Sequence, residues 1–366
     1  MDAALRATFL MEQHIGHRTF YQNLRRFASV DPRIQAQWVE VSYHQPDGAL
    51  ERSRLVPARL KGTLRGIQQT RSGLAASPAK VAFFNTQVPS VFVLDRLKAL
   101  PCVVCTDITP LQYDGLAQAY GHQPDTNRLL KAFKHSANRA VFQRAAAVVG
   151  WSSWVRDSLL SDYGVPQEKI HVIPPGIDLE TWSPDPAYQS DQERARILFV
   201  GGDFTRKGGP TLLEAFRRLD PAAAELHVVT REEVPPTPGV TVYHGMTPNS
   251  PELIRLYRRC DLFALPTQAE AFGIAAIEAL ACGLPVIASH VGGLADVVED
   301  GFNGRLVAPG DSQALAQALQ EFTKARAAWP EMRLRARTAA EQRFDARKNA
   351  ARIVSLLLAC AGRQIG

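Results

Sequence analysis

Six short β-rich runs alternate with helix-length stretches, a proline-rich break follows, and six more such runs complete the chain. The first series is Arg6–Met11, Gln37–Tyr43, Lys80–Asn85, Cys102–Thr106, Ala146–Trp151 and His171–Ile173. Amphipathic segments such as Thr19–Ala28 and Asn127–Arg144 lie between them. The second series is Ile197–Val200, Glu225–Thr230, Thr241–His244, Leu262–Leu265, Pro285–Ala288 and Arg305–Val307. Strands spaced by helices build parallel βαβ units. Two series of similar length therefore predict an α/β protein of two doubly wound domains facing each other across a cleft. In such sheets ligands bind beyond the carboxyl ends of the strands. The polar passage Thr181–Glu193, with Pro184 and Pro186, reads as the linker.

A chain of 366 residues is long enough for two cores of this kind. Its 46% apolar and 21% charged residues exclude wholesale disorder. No run approaches the ~18 apolar residues of a membrane span, and residues 1–20 lack the basic start, apolar core and cleavage site of an export signal. The expected setting is the cytoplasm, with reduced thiols. Cys102, Cys105, Cys260, Cys282 and Cys360 are odd in number and scattered, and the Cys102–Cys105 pair lies in an apolar strand rather than at a helix start. Charge is uneven: residues 1–178 hold 21 Lys and Arg against 14 Asp and Glu, whereas the remainder holds 21 against 22. That asymmetry predicts a negatively charged partner for the first half.

The most informative stretch runs from Leu265 to Val286. A strand ends near Leu265, a loop carries Glu270, and Phe272-Gly273-Ile274 opens a helix that closes at Cys282-Gly283. No side chain at Phe272 or Gly273 can cap that helix, so its first backbone N–H groups are free to face an anion. Glu278 lies about one turn in, among alanines, where a carboxylate can accept hydrogen bonds from two neighbouring sugar hydroxyls. An isolated helix glutamate is ordinarily just solvated. Here a second glutamate eight residues earlier, a Phe-Gly hinge and flanking apolar strands argue otherwise.

This stretch resembles the signature of family 4 retaining glycosyltransferases of the GT-B fold, whose two glutamates are separated by seven residues. The resemblance extends through Ile287–Val307, through Phe199-Val-Gly-Gly202-Asp-Phe-Thr-Arg206-Lys207-Gly208, and through Tyr163–Asp178. It implies two Rossmann-like domains, an acceptor-binding one at 1–178 and a nucleotide-sugar-binding one at 179–345, with a last helix of about 346–362 crossing back to the first. It also assigns roles. Glu270 addresses the transferred sugar, Glu278 holds the ribose, Phe272, Gly273 and Ile274 supply backbone donors, and Lys207 neutralises the diphosphate, with Gly202 and Arg206 beside it. The implied donor is a UDP- or GDP-sugar and the implied acceptor a glycan, a lipid-linked group or a small molecule. Retention of configuration and no metal or other cofactor are implied too.

Two departures stand out. The family's arginine after Val-Gly is replaced by Gly202, leaving Arg206 to substitute or one basic contact fewer. The histidine that relatives carry before an aspartate is replaced by Thr106, while Asp107 is kept, which makes Asp107 a candidate catalytic residue. Near the N-terminus Gly16 matches one glycine of the loop that in the family closes over the donor's phosphate or the acceptor, and His14, His17 and Arg18 add polar groups, with His17 and Arg18 as acceptor-side candidates. Asn127–Arg144 is an amphipathic basic helix, core-facing by default, or the site of peripheral contact with an anionic membrane at the inner face.

Other classes fare less well. Neither a Walker loop nor a Gly-x-Gly-x-x-Gly fingerprint is present, so kinase and dehydrogenase readings fall. A catalytically silent nucleotide-sugar-binding protein would keep Glu278 and Lys207. A nucleic-acid-binding protein would explain the basic half, but no aromatic-interleaved basic strand or helix-turn-helix supports it.

Overall fold

The computed structural model describes residues 4–13, 15–76, 78–97, 99–188 and 193–362, apart from the side chains of Ile15 and Arg59. Six strands form the first sheet: β1 (Leu5–Glu12), β2 (Ile34–Val41), β3 (Val81–Phe84), β4 (Cys102–Thr106), β5 (Ala147–Gly150) and β6 (Ile170–Val172), in the order β2-β1-β3-β4-β5-β6. Six more form the second: β7 (Ala195–Val200), β8 (Ala224–Val229), β9 (Val240–Tyr243), β10 (Leu262–Leu265), β11 (Val286–Ser289) and β12 (Gly304–Val307), in the order β12-β11-β10-β7-β8-β9. Neighbouring strands in both sheets are parallel. Each of the twelve expected runs overlaps one of these strands. The second differs most in bounds: β2 starts at Ile34 and stops at Val41, because Tyr43 takes a left-handed backbone (φ 58°) that ends the extended run.

Central strands of a parallel sheet are covered on both faces, so they read as continuous apolar runs. Val81–Phe84, Cys102–Thr106, Leu262–Leu265 and Val286–Ser289 are buried along their whole length. All five cysteines are free and buried, Cys102 and Cys105 within β4, and burial pushes the Cys102 thiol up to about 12. Such thiols are inert at neutral pH.

The chain divides into two compact units. The first takes the residues up to Gly115, Gln123–Gly176 and the last helix, Ala346–Gly362; the second takes Leu116–His122 and Ile177–Asp345. Within the first unit, Ala346–Gly362 packs on the helix Ile15–Ala28 and on β3 and β4. Gly176 is what permits this, since a Cβ there would lie 2.2 Å from Ala346 Cα. Asn23 Nδ2 donates to the Gly176 carbonyl at 2.8 Å, and Asn349 Nδ2 to that of Pro174 at 3.2 Å.

The start of the expected linker is packed rather than free. Trp182 is buried edge-on against Tyr257, with ring centroids 5.2 Å apart, and Arg337 donates to the Trp182 carbonyl at 2.8 Å. Residues 189–192 of that passage lie outside the described residues.

Candidate active site

In the second unit two loops at the carboxyl edge of the sheet are tied together. One follows β7 and carries Gly201–Gly208; the other follows β10 and carries Pro266–Gly273. The Arg206 carbonyl accepts from Gln268 N–H at 2.9 Å and from the Thr267 hydroxyl at 3.2 Å, and the Arg206 guanidinium donates to the Ala269 carbonyl at 3.0 Å. Gly208 allows the approach: its φ is +82°, and a Cβ would sit 1.8 Å from the Pro266 carbonyl oxygen. No L-side chain fits that position. The result brings the Lys207 ammonium into an ion pair with Glu270, both side chains mostly buried.

The helix Ile274–Ala281 then starts from Gly273, whose φ of +101° and lack of a side-chain cap leave the first backbone donors open. Phe272 is buried, edge-on to Phe344, and anchors the turn from below. One turn into the helix Glu278 is almost wholly buried; the Tyr257 hydroxyl donates to it at 3.2 Å. Burial raises its carboxyl to about 8, against which the Tyr257 bond acts in the lowering direction. Glu270, Phe272, Gly273, Ile274, Glu278 and Lys207 therefore belong to one sheet edge.

Around Gly202 the structure shows a basic group that neither expectation named. Arg206 is engaged locally, bonded to Asp203 at 3.0 Å and lying over the Tyr120 ring at 4.9 Å. Above Gly202 lies Arg231, from just beyond β8, whose Nε would be 2.9 Å from a Cβ at that position. Sequence reasoning missed Arg231 because it comes a strand later, with only its strand-end position as a signal. Tyr257 was missed for a similar reason: its helix Pro251–Arg259 reads simply as amphipathic.

The carboxyl edge of the first unit holds a different set. Gly16 does not lie in a loop; it is in the first turn of Ile15–Ala28, exposed, with open space around it. His17 is buried against Trp151, ring centroids 5.3 Å apart, and its Nε2 is 3.6 Å from Asp107 Oδ1. Among the described residues its Nδ1 is buried without a hydrogen-bond partner. Burial raises the Asp107 carboxyl, and the neighbouring His17 opposes that rise. Thr106 is turned inward, donating to the Ile108 carbonyl at 2.7 Å and lying 2.9 Å from Gln87 Oε1. Arg18 is exposed and donates to the Gln13 carbonyl at 3.3 Å. His14 lies outside the described residues. Thus His17 and Asp107, separated by the whole of β2, β3 and β4 in sequence, form a pair.

Comparison with known proteins identifies the family and the fold. Residues 35–181 match the description "Glycosyltransferase Family 4", and residues 194–324 match "Glycosyl transferases group 1". The chain belongs to the family 4 glycosyltransferases. It is 31% identical over 212 residues to D-inositol 3-phosphate glycosyltransferase 1 of Catenulispora acidiphila, covering 50% of each chain. It is 28% identical over 250 residues to the D-inositol 3-phosphate glycosyltransferase of Paenarthrobacter aurescens, 63% of this chain and 60% of that protein. The aligned stretches thus span about half of these relatives. Sucrose-phosphate synthase from Thermosynechococcus elongatus superposes with a TM-score of 0.75 at 18% identity, covering 97% of this chain and 98% of that one. Anabaena HepE in complex with UDP does so at 0.71 and 18%, covering 97% and 100%. The fold of this family 4 chain is GT-B, with helices packed on two parallel six-stranded sheets.

Proposed function

We propose that this family 4 chain transfers a sugar from a nucleoside-diphosphate donor, a UDP- or GDP-sugar, to an acceptor hydroxyl with retention of configuration and without a metal ion. Glu278 carries the reading. A buried carboxylate raised to about 8 holds capacity for donors beyond Tyr257, and the paired hydroxyls of a ribose would satisfy it. The open N–H groups after Gly273 and the Lys207 ammonium suit a diphosphate, with Arg206 and Arg231 close to the same loops. In Anabaena HepE, a GT-B neighbour, UDP is bound.

In this reading the bond between the anomeric carbon and the diphosphate oxygen breaks, and its electron pair passes to the leaving phosphate. The acceptor oxygen attacks from the same face, and its proton goes to that phosphate, so no side-chain base is required. Negative charge grows on the diphosphate as the bond breaks, and preorganised donors aimed at it lower the barrier by about 3 kcal/mol each. Lys207 and the helix Ile274–Ala281 fill this role. Glu270, ion-paired with Lys207, faces the sugar. The first unit takes the acceptor, with His17, Asp107 and Arg18 as its polar groups. The helix Arg128–Arg144 is the element read as meeting an anionic membrane.

Thermal-shift titration with nucleoside diphosphates and their sugars tests the site. At 100 times the dissociation constant a ligand adds about 2.7 kcal/mol of stability. Glu278→Ala should abolish that shift, and Glu270→Ala should lower turnover more than nucleotide affinity. A shift retained by Glu278→Ala would place the nucleotide elsewhere.

A further inference from the structure

The carboxyl edge of the first sheet has a charge opposite to that of the unit that holds it. Residues 1–178 are basic in sum, yet none of the five residues that follow each of β1 to β6 is a lysine or an arginine. Arg18 comes next after β1, but it is exposed and already donates to the Gln13 carbonyl. At the second sheet, by contrast, Arg231 follows β8 and both Arg206 and Lys207 stand in the loop after β7. The cationic excess of the first half is therefore carried by segments other than its strand ends.

Two carboxylates occupy that edge instead. β1, β3 and β4 are neighbours, with strand axes about 4.8 Å apart, so Glu12, Asn85 and Asp107 emerge along one line. Glu12 closes β1 and is 4% exposed; the Thr86 hydroxyl donates to its carboxylate. Asn85 brackets its backbone, accepting from the Glu12 N–H at 2.6 Å and donating to the Glu12 carbonyl at 3.1 Å. Asp107 follows β4, and its side chain is 20% exposed. Burial raises the Asp107 carboxyl, His17 opposes the rise and Glu12 adds to it, so the three groups share one field. Tyr43, from beyond β2, lies in the same field: burial first, and then Glu12, raise its phenol.

His17 supplies an independent pointer to a ligand. It is 9% exposed, its Nε2 faces Asp107 Oδ1 at 3.6 Å, and among the described residues its buried Nδ1 has no hydrogen-bond partner. A buried nitrogen without a partner costs free energy that a bound donor recovers. With the proton on Nε2, where Asp107 favours it, Nδ1 is an acceptor, and carboxylate oxygens only accept. Even with the ring protonated, two carboxylates leave the group negative. A ligand seated here must bring hydrogen-bond donors and no negative charge.

We propose that Glu12, His17 and Asp107 form a specificity site that takes the hydroxyl-rich, uncharged end of a sugar and rejects one carrying a phosphate or carboxylate. Sugar hydroxyls donate to Asp107 and to His17 Nδ1. Glu12, engaged by Thr86, is a positioning residue that acts through Asp107 and repels anions. That this sugar is the acceptor rests on the transferase reading; the selection against anions does not.

The test is saturation-transfer NMR on the full chain, with and without UDP, using glucose, galactose and mannose, each against its 6-phosphate. Expected is transfer to at least one of the neutral sugars, exceeding that to its 6-phosphate by at least about tenfold. Asp107→Asn and Glu12→Gln remove charge while keeping shape, and each should cut that preference to about threefold or less. Lost packing alone would weaken sugar and ester alike and leave the ratio in place. His17→Ala should weaken the neutral sugar by about fivefold or more, and melting followed by circular dichroism shows that the variants fold. A 6-phosphate bound as well as its parent sugar, a ratio unchanged in both charge-removing variants, or no transfer to any of the sugars overturns the proposal. Selective sugar binding without any UDP thermal shift would leave the specificity site standing and remove the donor reading instead.

Discussion

The carboxyl edges of the two sheets are built by opposite means. In the second unit the backbone makes the site: Gly208 lies against the Pro266 carbonyl, Gly273 turns with φ of +101°, and the adjacent Lys207 and Glu270 fall into an ion pair. In the first unit side chains from distant strands make it: His17 from the helix after β1 meets Asp107 from the end of β4, and Gln87 from after β3 reaches within 2.9 Å of the Thr106 hydroxyl. A backbone-built site demands particular residues at fixed spacing. A side-chain-built site needs only that suitable groups arrive, from whichever element can reach.

Gly208→Ala tests that contrast at its strongest point. The substitution would force a left-handed residue to carry a Cβ into a backbone oxygen, and it should destabilise the second unit by about 3 kcal/mol or more. Urea unfolding followed by separate probes in the two units would show one early transition and one unchanged. A uniform small loss would mean that the loop relaxes easily, and that the glycine is not what holds Lys207 beside Glu270.

The same contrast explains what was legible in the sequence. All twelve strands were, most plainly the central ones, because strands buried on both faces are uniform apolar runs, and so was the placing of Glu270 and Glu278 at one strand end, because that loop and helix are continuous in the chain; Lys207, 63 residues before Glu270, was marked by the resemblance. The position of His17 against Asp107 was not: nothing local says that a histidine in a first helical turn will be buried beside Trp151. Nor was Gly16, which sits in a helix where the resemblance implied a closing loop. Arg231 over Gly202 depends on the β7–β8 pairing, and periodicity carries no record of which strand-end residue will lean over its neighbour.

Protonation separates the two edges with a smaller effect. Glu278 is raised to about 8, so the fold favours its neutral form; that contribution is full below the ordinary carboxyl value and is lost as pH rises through about 8. Ribose hydroxyls donate best to the ionised form, so binding below pH 8 includes loss of a proton. UDP affinity should therefore rise with pH between about 6 and 8, by at most tenfold (about 1.4 kcal/mol) per unit, and level off above. Isothermal titration in buffers of different ionisation enthalpy would count the released proton. In Glu278→Gln the slope should vanish, while Asp107→Asn should keep it, since that carboxylate lies with the other edge. A slope that persists in Glu278→Gln would assign the titration to another group.

The smallest effect concerns the two glycines of these edges that invite direct comparison. At Gly208 a Cβ has nowhere to go; at Gly16 it meets nothing within 4 Å, in the first turn of a helix. Glycine there leaves the unfolded chain freer than alanine would, so Gly16→Ala should stabilise the first unit by about 0.4–1 kcal/mol and leave the UDP shift unchanged. Urea midpoints at constant m-value measure the first, and the nucleotide titration the second. A variant that is no more stable and binds UDP more weakly would restore Gly16 to the donor site that the resemblance gave it, and would mean that the first edge, like the second, is shaped by its backbone.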